Sequence, residues 1–408
     1  MIMRRTTQRV LKVTFFMVVL CLCAGYGGGS NVQQSPLPAP TGPYAVGRTL
    51  FNWVDESRVD LLRPKGYREI PVWVWYPATP AGDAQKAEWL PGTWGDIFAA
   101  RMAPQRTSPD QPEPGKYPIH TIRSHSYTDA PVSSGQNKYP ILVFAPGYGS
   151  IPTEYASLIE GVVSHGYIVV GIVPTYFSLY TVFSDGLVVG QYQDWRDVPG
   201  APRPSSDRGP VSDPVYRLWT GDMRFALNQV EKLNADDKSP LKGRFDFDRV
   251  GAFGHSIGAT VTAQVAKDDP RVRAAILIDG TLMGDVARNP IVPKPLLLMP
   301  ASSFKGRDRA LWPNRAISPE MIAHLRSAKP PYIVTIAGAT HSFPCDFGVM
   351  PFTKDRAGSI EPARALAVTR AYIVAFFDQH LLGKTSSLMN GPSPDYTEVT
   401  FENTFEKQ

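Results

Sequence analysis

One short stretch, Val250–Thr260, constrains the fold more than any other part of this 408-residue chain. It reads Val-Gly-Ala-Phe-Gly-His-Ser-Ile-Gly-Ala-Thr: an apolar strand, a Gly-x-Ser-x-Gly turn, and a small-residue helix that we expect to run to about Lys267. Such a sharp turn needs glycines where a Cβ would collide with neighbouring backbone, and it lifts the serine hydroxyl clear of the sheet. The strand-before, helix-after context therefore predicts that Ser256 is a nucleophile rather than part of a chance loop.

Strands and helices alternate on both sides of this stretch. Apolar runs typical of buried strands are separated by amphipathic helical segments, and two strand-like segments rich in aromatic and β-branched residues precede them. We expect strands at 46–53, 68–76, 139–145, 167–173, 272–278, 295–300 and 332–336, the last of the sheet, and helices at 94–102, 154–165, 215–234 and 361–382, the last closing the chain. This alternation predicts an α/β fold with a mostly parallel central sheet and helices on both faces.

The N-terminus has the features of an export signal. Residues 1–27 combine a basic start, an apolar run of signal-peptide length and small residues near its end. Cleavage there predicts a periplasmic or secreted protein. The alternative is a lipid anchor through Cys21 or Cys23, which is less favoured because each cysteine follows a leucine instead of a small residue. No oligomeric state is predicted.

The remaining chain divides into a linker and one catalytic domain. Residues 28–45 are rich in Gly, Pro and Ser and are expected to form an extended, mobile linker. Residues 46–408 are expected to form a single domain. Within it, the aromatic and Pro-rich segment 176–212 is interpreted as a lid-like insertion over the active site, whose rings line the cleft, pack the insertion or contact a lipid surface.

Composition and charge exclude several functions. The formal net charge is +5, but Arg4, Arg5, Arg9 and Lys12 lie in the predicted signal, so the remainder is nearly neutral. No basic tract with interleaved aromatic residues is present, which argues against nucleic-acid binding. The mature chain also has no His/Cys/Asp pattern with metal-ligand spacing and no phosphate-binding loop, so neither a metal nor a cofactor is expected.

A serine nucleophile needs a base, and the base needs an orienting acid. Of the histidines after Ser256, His341 alone follows a predicted strand, whereas His324 and His380 lie in helical segments, so His341 is the expected base. Asp279 ends the strand after the turn and is favoured as the acid. Asp308, in a charged Lys-Gly-Arg-Asp-Arg run, is the alternative.

The oxyanion formed by serine attack needs preorganised N–H donors. The backbone N–H of Ile257, directly after the serine, is one expected donor. The other should come from the loop after the first buried parallel strand, Ala145-Pro-Gly-Tyr-Gly-Ser150 (the 145–150 loop), where Tyr148 is the expected residue.

These motifs resemble the α/β-hydrolase superfamily and, within it, the platelet-activating-factor acetylhydrolase group. The resemblance rests on 68–77, 140–149, Gly254-His-Ser-Ile-Gly258, Ile276-Leu-Ile-Asp279 and His341-Ser-Phe-Pro-Cys-Asp-Phe347. It implies a Ca²⁺-independent serine esterase acting on short or oxidised acyl chains, often of phospholipids, with Asp279 as the acid and Tyr148 and Ile257 forming the oxyanion hole. The expected partner is a small ester or phospholipid. Peripheral contact to a lipid interface through Phe177, Tyr180 and Phe183 is an open alternative to their packing the insertion or lining the cleft, which is favoured.

Two features keep other functions open. Pro146-Gly-Tyr148 replaces the His-Gly-x-Gly of many relatives and is similar to cutinase-like polyester hydrolases, so a general or polyester esterase is the alternative. The long aromatic insertion is also consistent with a binding protein that keeps the fold without the chemistry.

Overall fold

The computed structural model describes residues 35–60, 63, 66–102, 119–191, 213–280, 282, 284–288, 292–302, 331–350 and 358–403. The predicted signal (1–27), Asp308 and the second half of the insertion (192–212) lie outside these residues. The strands are β1 (Ala45–Val59), β2 (Tyr67–Ala78), β3 (Ser126–Thr128), β4 (Tyr139–Ala145), β5 (Ile168–Ile172), β6 (Tyr180–Val182), β7 (Val188–Gly190), β8 (Phe245–His255), β9 (Val272–Ile278), β10 (Leu296–Met299), β11 (Pro331–Ile336) and β12 (Val399–Glu402). The helices are α1 (Thr93–Met102), α2 (Ala156–Val163), α3 (Asp213–Ala235), α4 (Ile257–Asp268), α5 (Gly284–Arg288) and α6 (Pro362–Leu382).

Ten of these strands form one sheet in the order β12-β11-β10-β9-β8-β4-β5-β2-β1-β3. Six neighbouring strands of this sheet pair in parallel: β11, β10, β9, β8, β4 and β5. The strands β1, β2 and β12 join through antiparallel pairs. The carboxyl ends of the parallel strands therefore meet at one edge of the sheet, which is where open α/β sheets hold their sites.

Helices cover both faces of this sheet because successive strand residues point to opposite sides. Along β4, Leu142 and Phe144 join the core beneath α1, α2 and α6, whereas Ile141 and Val143 join the core beneath α3 and α4. The continuous apolar runs of the sequence are thus explained by burial on both faces. The predicted mostly parallel sheet with helices on both faces is confirmed.

The end of the chain differs from the prediction. After α6, which begins at the Glu361 cap and Pro362 and ends at left-handed Gly383, the chain returns to the sheet as β12. This strand pairs antiparallel with β11, so neither β11 is the last strand nor α6 the end of the fold. A four-residue edge strand after a Pro- and Ser-rich segment carries too short an alternation to be recognised from sequence.

Residues 35–44 differ from the predicted mobile linker. Leu37 is buried, and Gly42 N–H donates to the Ser164 hydroxyl at 3.0 Å. Arg370 on α6 also donates to the Ala39 carbonyl at 3.0 Å. Apolar and hydrogen-bonding groups therefore hold this Pro-rich segment against the domain. Contacts accordingly group Ser35–Gln408 as one unit.

The described part of the insertion is a small hairpin of β6 and β7. Phe177 packs against Trp219 with ring centroids 5.7 Å apart, and the hydroxyl of Tyr180 donates to the Trp94 carbonyl at 2.6 Å. These rings therefore pack the insertion onto α1 and α3. The exposed apolar side chains of the hairpin are Leu187 and Val188.

A buried carboxylate on α3 joins this helix to strands β1 and β2. Asp222 forms salt bridges with Arg68 of β2 at 2.7 Å and with Arg58 of β1 at 2.9 Å, and the Asp222 side chain is fully buried. Removing Asp222 would leave the buried Arg68 charge without its partner. We expect Asp222→Ala to lower the free energy of unfolding by about 3–5 kcal/mol.

Urea unfolding of this variant is compared with that of Lys384→Ala, which removes an exposed pair with Asp378. The control should lose no more than about 1 kcal/mol. Equal losses for the two variants would contradict the assignment of Asp222 as a buried structural anchor.

Candidate active site

The turn after β8 has the strained geometry that its sequence predicts. Ser256 has φ 58° and ψ −120°, and its N–H donates to the Ile278 carbonyl at 2.8 Å. A Cβ at Gly254 would overlap the carbonyl of Gly258, and one at Gly258 would overlap the carbonyl of Ala145. The two glycines therefore allow β8, α4 and the end of β4 to approach closely, which fixes Ser256 between them.

His341 reaches the serine from the loop that follows β11 (residues 337–347, the histidine loop). Its Nε2 lies 3.0 Å from the Ser256 Oγ. The other ring nitrogen, Nδ1, hydrogen-bonds to the Oδ2 of Asp279. A carboxylate on Nδ1 favours the tautomer that leaves Nε2 free of hydrogen, so Nε2 is the nitrogen able to accept the serine proton.

Asp279 directly follows β9 in a left-handed conformation, with φ 42°. Its second oxygen, Oδ1, accepts the Ala301 N–H at 2.9 Å. Burial alone would raise the pKa of Asp279, but the hydrogen bond and charge interaction with His341 and the bond from Ala301 outweigh it and lower the pKa below its ordinary value. The carboxylate is therefore ionised at neutral pH. Ser256, His341 and Asp279 are brought together, while the alternative acid, Asp308, lies outside the described residues.

The 145–150 loop runs beside the serine. A Cβ added at Gly147 would stand 3.4 Å from the Ser256 Cβ and 3.2 Å from the His255 Nδ1. The residues just before β6 hold the far end of the loop, because Gly149 N–H donates to the Phe177 carbonyl at 2.7 Å and Leu179 N–H donates to the Gly149 carbonyl at 3.0 Å. Gly147 thus lies next to the nucleophile, with Tyr148 following it in the loop. Ile257 directly follows Ser256 as the first residue of α4, where backbone N–H groups have no partner within the helix.

Three further residues near the site were not singled out in the sequence. Tyr155 and His255 hydrogen-bond to each other at 2.8 Å beneath the serine. Asp346, at the end of the histidine loop, accepts the Ser157 N–H and the Trp89 Nε1–H, each at 3.1 Å. In the sequence, Tyr155 is one apolar position of the predicted helix 154–165, whereas His255 and Asp346 stand inside the serine and histidine motifs without an assigned role. Their positions in or near these motifs were the signal that could have identified them.

Asp346 is an unusual carboxyl group. Burial raises its pKa to about 7, and the nearby Glu160 adds to the rise, although the donors Ser157 and Trp89 lower it. It ties the histidine loop to the start of α2 through neutral donors.

Among the described residues, no cluster of His, Cys, Asp and Glu is suited to a metal ion. In the same part of the chain no helix is both long and apolar enough for a membrane span.

Two family models match the chain over different parts. One, described as platelet-activating factor acetylhydrolase, isoform II, matches residues 29–173, which include the 145–150 loop. The other, described as PET hydrolase-like, matches residues 219–343, which include Ser256, Asp279 and His341.

Whole-chain comparisons agree on esterases. The chain is 25% identical to a probable 1-alkyl-2-acetylglycerophosphocholine esterase of Arthroderma benhamiae, over 94% of this chain and 98% of that protein. It is 24% identical to the platelet-activating factor acetylhydrolase of Gallus gallus, over 92% of each. Among solved structures, a ferulic acid esterase from Streptomyces cinnamoneus superposes with a TM-score of 0.69 at 27% identity, over 90% of this chain and 98% of that chain.

The pKa of Asp346 generates a prediction about stability. Because folding raises this pKa from 3.8 to about 7, the folded state retains a proton that the unfolded chain loses between these values. The contribution of Asp346 to stability is therefore full below about pH 4 and falls as the pH rises to about 7. Asp346→Asn lacks this titration. The unfolding free energy of Asp346→Asn minus that of the wild type should therefore be larger at about pH 8 than at about pH 5, by at most a few kcal/mol.

Urea unfolding at both pH values measures this difference. Asp237→Asn, at an exposed position, is the matched control. A gap between Asp346→Asn and wild type that does not change with pH would contradict the raised pKa.

Proposed function

We propose that this chain, a platelet-activating-factor-acetylhydrolase-like member of the α/β-hydrolase superfamily, cleaves short acyl esters with Ser256, His341 and Asp279 as its catalytic triad. The enzyme is a carboxylester hydrolase, as its relatives indicate. The observation that carries the triad assignment is the position of His341, whose two ring nitrogens face Ser256 and Asp279.

The mechanism follows from this arrangement. Nε2 of His341 takes the Ser256 proton as Oγ attacks the ester carbonyl, and Asp279 stabilises the imidazolium that results. The N–H groups of Tyr148 and Ile257 bind the oxyanion of the tetrahedral intermediate. His341 then protonates the departing alcohol, which leaves an acyl group on Ser256. A water molecule gives its proton to His341, attacks the acyl-enzyme and releases the carboxylic acid, after which the proton returns to Ser256.

The substrate class is the finer part of the proposal. The relatives named for 1-alkyl-2-acetylglycerophosphocholine and platelet-activating factor cover nearly the whole chain, which favours short sn-2 acyl esters of phospholipids. A polyester or general ester is the second candidate. It is favoured by the PET hydrolase-like match, which covers the proposed triad, and by Tyr148, an exposed aromatic residue of the 145–150 loop. Export through residues 1–27 remains part of the proposal, and it would bring the enzyme to either substrate.

Substitution of the triad tests the reaction. Ser256→Ala should abolish turnover of p-nitrophenyl butyrate, and Asp279→Asn should lower kcat by about 10⁴-fold, because His341 loses the ionised partner that sets its tautomer. Asp308→Asn, which removes the alternative acid, is the matched control and should keep wild-type kcat. Activity in a folded Ser256→Ala variant, or a larger loss in Asp308→Asn than in Asp279→Asn, would contradict the proposed triad.

A substrate series tests the class. We expect kcat/KM on p-nitrophenyl esters to fall steeply from acetate to palmitate, with turnover of a phospholipid carrying an sn-2 acetyl group. Chromatography of the released acetate and lysophospholipid measures the second reaction. Turnover of small esters and of a polyester film, without turnover of the phospholipid, would instead establish the second candidate.

A further inference from the structure

A chain of buried hydrogen bonds runs beneath the candidate active site and connects its loops. Gly147 N–H lies 3.0 Å from the Tyr155 hydroxyl oxygen, and that oxygen lies 2.8 Å from the Nδ1 of His255. On the other side of the ring, the Nε2 of His255 lies 2.8 Å from the backbone carbonyl oxygen of His341. The chain therefore joins the 145–150 loop, the residue before the nucleophile, and the histidine loop.

The donors and acceptors in this chain have one consistent arrangement for a neutral imidazole. A carbonyl oxygen only accepts, so the Nε2 of His255 carries the hydrogen that it donates to His341. The Nδ1 is then an acceptor and receives the hydroxyl hydrogen of Tyr155. The Tyr155 oxygen still has a lone pair for the Gly147 N–H. Each group fills the role that its neighbour requires.

This arrangement controls the backbone on both sides of Tyr148. Gly147 N–H is bound to Tyr155, and Gly149 N–H is bound to the Phe177 carbonyl, so the peptide between them is held from both ends. The orientation of the Tyr148 N–H, the proposed oxyanion donor, follows from these two bonds. An N–H that is fixed before the reaction stabilises the oxyanion without reorganising.

The same chain positions the base. His255 holds the carbonyl of His341, and the two imidazole rings lie with centroids 4.5 Å apart and planes inclined by 39°. Tyr155 and His255 are both buried, with 0% and 4% of their surface exposed. A buried network of this kind holds one geometry, because breaking one of its hydrogen bonds leaves polar groups with no water molecule to take the place of the lost partner.

We propose that Tyr155 and His255 are positioning residues that hold the Tyr148 N–H and the His341 ring in fixed relation to Ser256. This inference rests on the proposed function, since it assumes that Ser256 and His341 perform the chemistry. Neither residue touches the ester. They act through the backbone of Gly147 and His341, so their loss should weaken transition-state stabilisation more than substrate binding.

The first test is Tyr155→Phe, which keeps the ring and removes the hydroxyl. We expect kcat for p-nitrophenyl butyrate to fall by about 10- to 100-fold with KM changed by less than about twofold, since an oxyanion donor loses its orientation. Tyr139→Phe is the matched control. The Tyr139 hydroxyl is also buried and also bridges two groups, donating to the Ser133 carbonyl at 3.0 Å and accepting the Gln136 N–H at 3.2 Å, but it lies at the opposite end of β4.

A transition-state analogue separates positioning from a general loss of stability. A trifluoromethyl ketone adds to the active serine and places negative charge on the oxygen that the oxyanion donors bind. Its affinity should fall in Tyr155→Phe by the same factor as kcat/KM, and it should stay at the wild-type value in Tyr139→Phe.

A double-mutant cycle tests whether the pair acts as one unit. His255→Phe and the double variant Tyr155→Phe/His255→Phe should have similar kcat values, because removing either residue already interrupts the chain. If Tyr155→Phe does not fold, the comparison uses His255→Gln and His255→Phe. The glutamine amide supplies an N–H donor near the former Nε2 position, so His255→Gln should keep more kcat than His255→Phe.

The outcomes separate this inference from the proposed function. Wild-type turnover that Ser256→Ala abolishes, together with equal kcat values for Tyr155→Phe and Tyr139→Phe, would overturn the positioning role and leave the triad intact. Equal kcat for His255→Gln and His255→Phe would overturn it in the same way. Absence of any turnover by the wild-type enzyme would overturn the proposed function and this inference with it.

Discussion

The close approach of three backbone segments at the turn after β8 is the constraint on which the site depends. Gly258 lies against the carbonyl of Ala145, Gly254 against that of Gly258, and Gly280 against that of Ser256, with no room for a Cβ at any of these glycines. The ends of β4, β8 and β9 are thereby brought together at one edge of the sheet. Ser256 accepts a left-handed φ at this junction, and such local strain persists because the surrounding sheet and helix determine it.

Two buried carboxyl groups beside this junction show how partner chemistry decides charge. Asp279 and Asp346 each accept two hydrogen bonds, and burial pushes the pKa of both upward. Asp279 faces an imidazole that can carry positive charge, and its pKa is lowered. Asp346 faces an amide and an indole, with Glu160 nearby, and its pKa rises to about 7. The first group is suited to stabilising an imidazolium, whereas the second is suited to anchoring a loop. The number of hydrogen bonds alone would not distinguish them.

The sequence predicted the features that depend on local pattern. The strands 139–145 and 272–278 have the predicted bounds, and Ser256, His341 and Asp279 meet because each directly follows a parallel strand or lies in the loop that continues it. What escaped prediction depends on distant contacts. The strand β12 forms only because β11 offers an edge, and the pairing of Tyr155 with His255 joins residues far apart in the chain. Neither contact leaves a periodicity or a spacing in the sequence.

The hairpin beside the 145–150 loop bears on how such a site selects its ester. Glu69 accepts both the N–H and the hydroxyl of Ser184 at 2.8 Å, and Arg63 bridges Glu69 and Asp185. These bonds fasten the turn between β6 and β7 to the start of β2, while Gly149 fastens its base to the loop that carries Tyr148. Residues 176–191, the described part of the insertion, are therefore bonded to the body of the domain at both ends, and the lid over residues 176–212 stays a prediction. A site lined by segments fixed in advance selects its ligand by shape, so we expect the 145–150 loop, held in place by Phe177 and Leu179, to influence which acyl group fits beside Ser256.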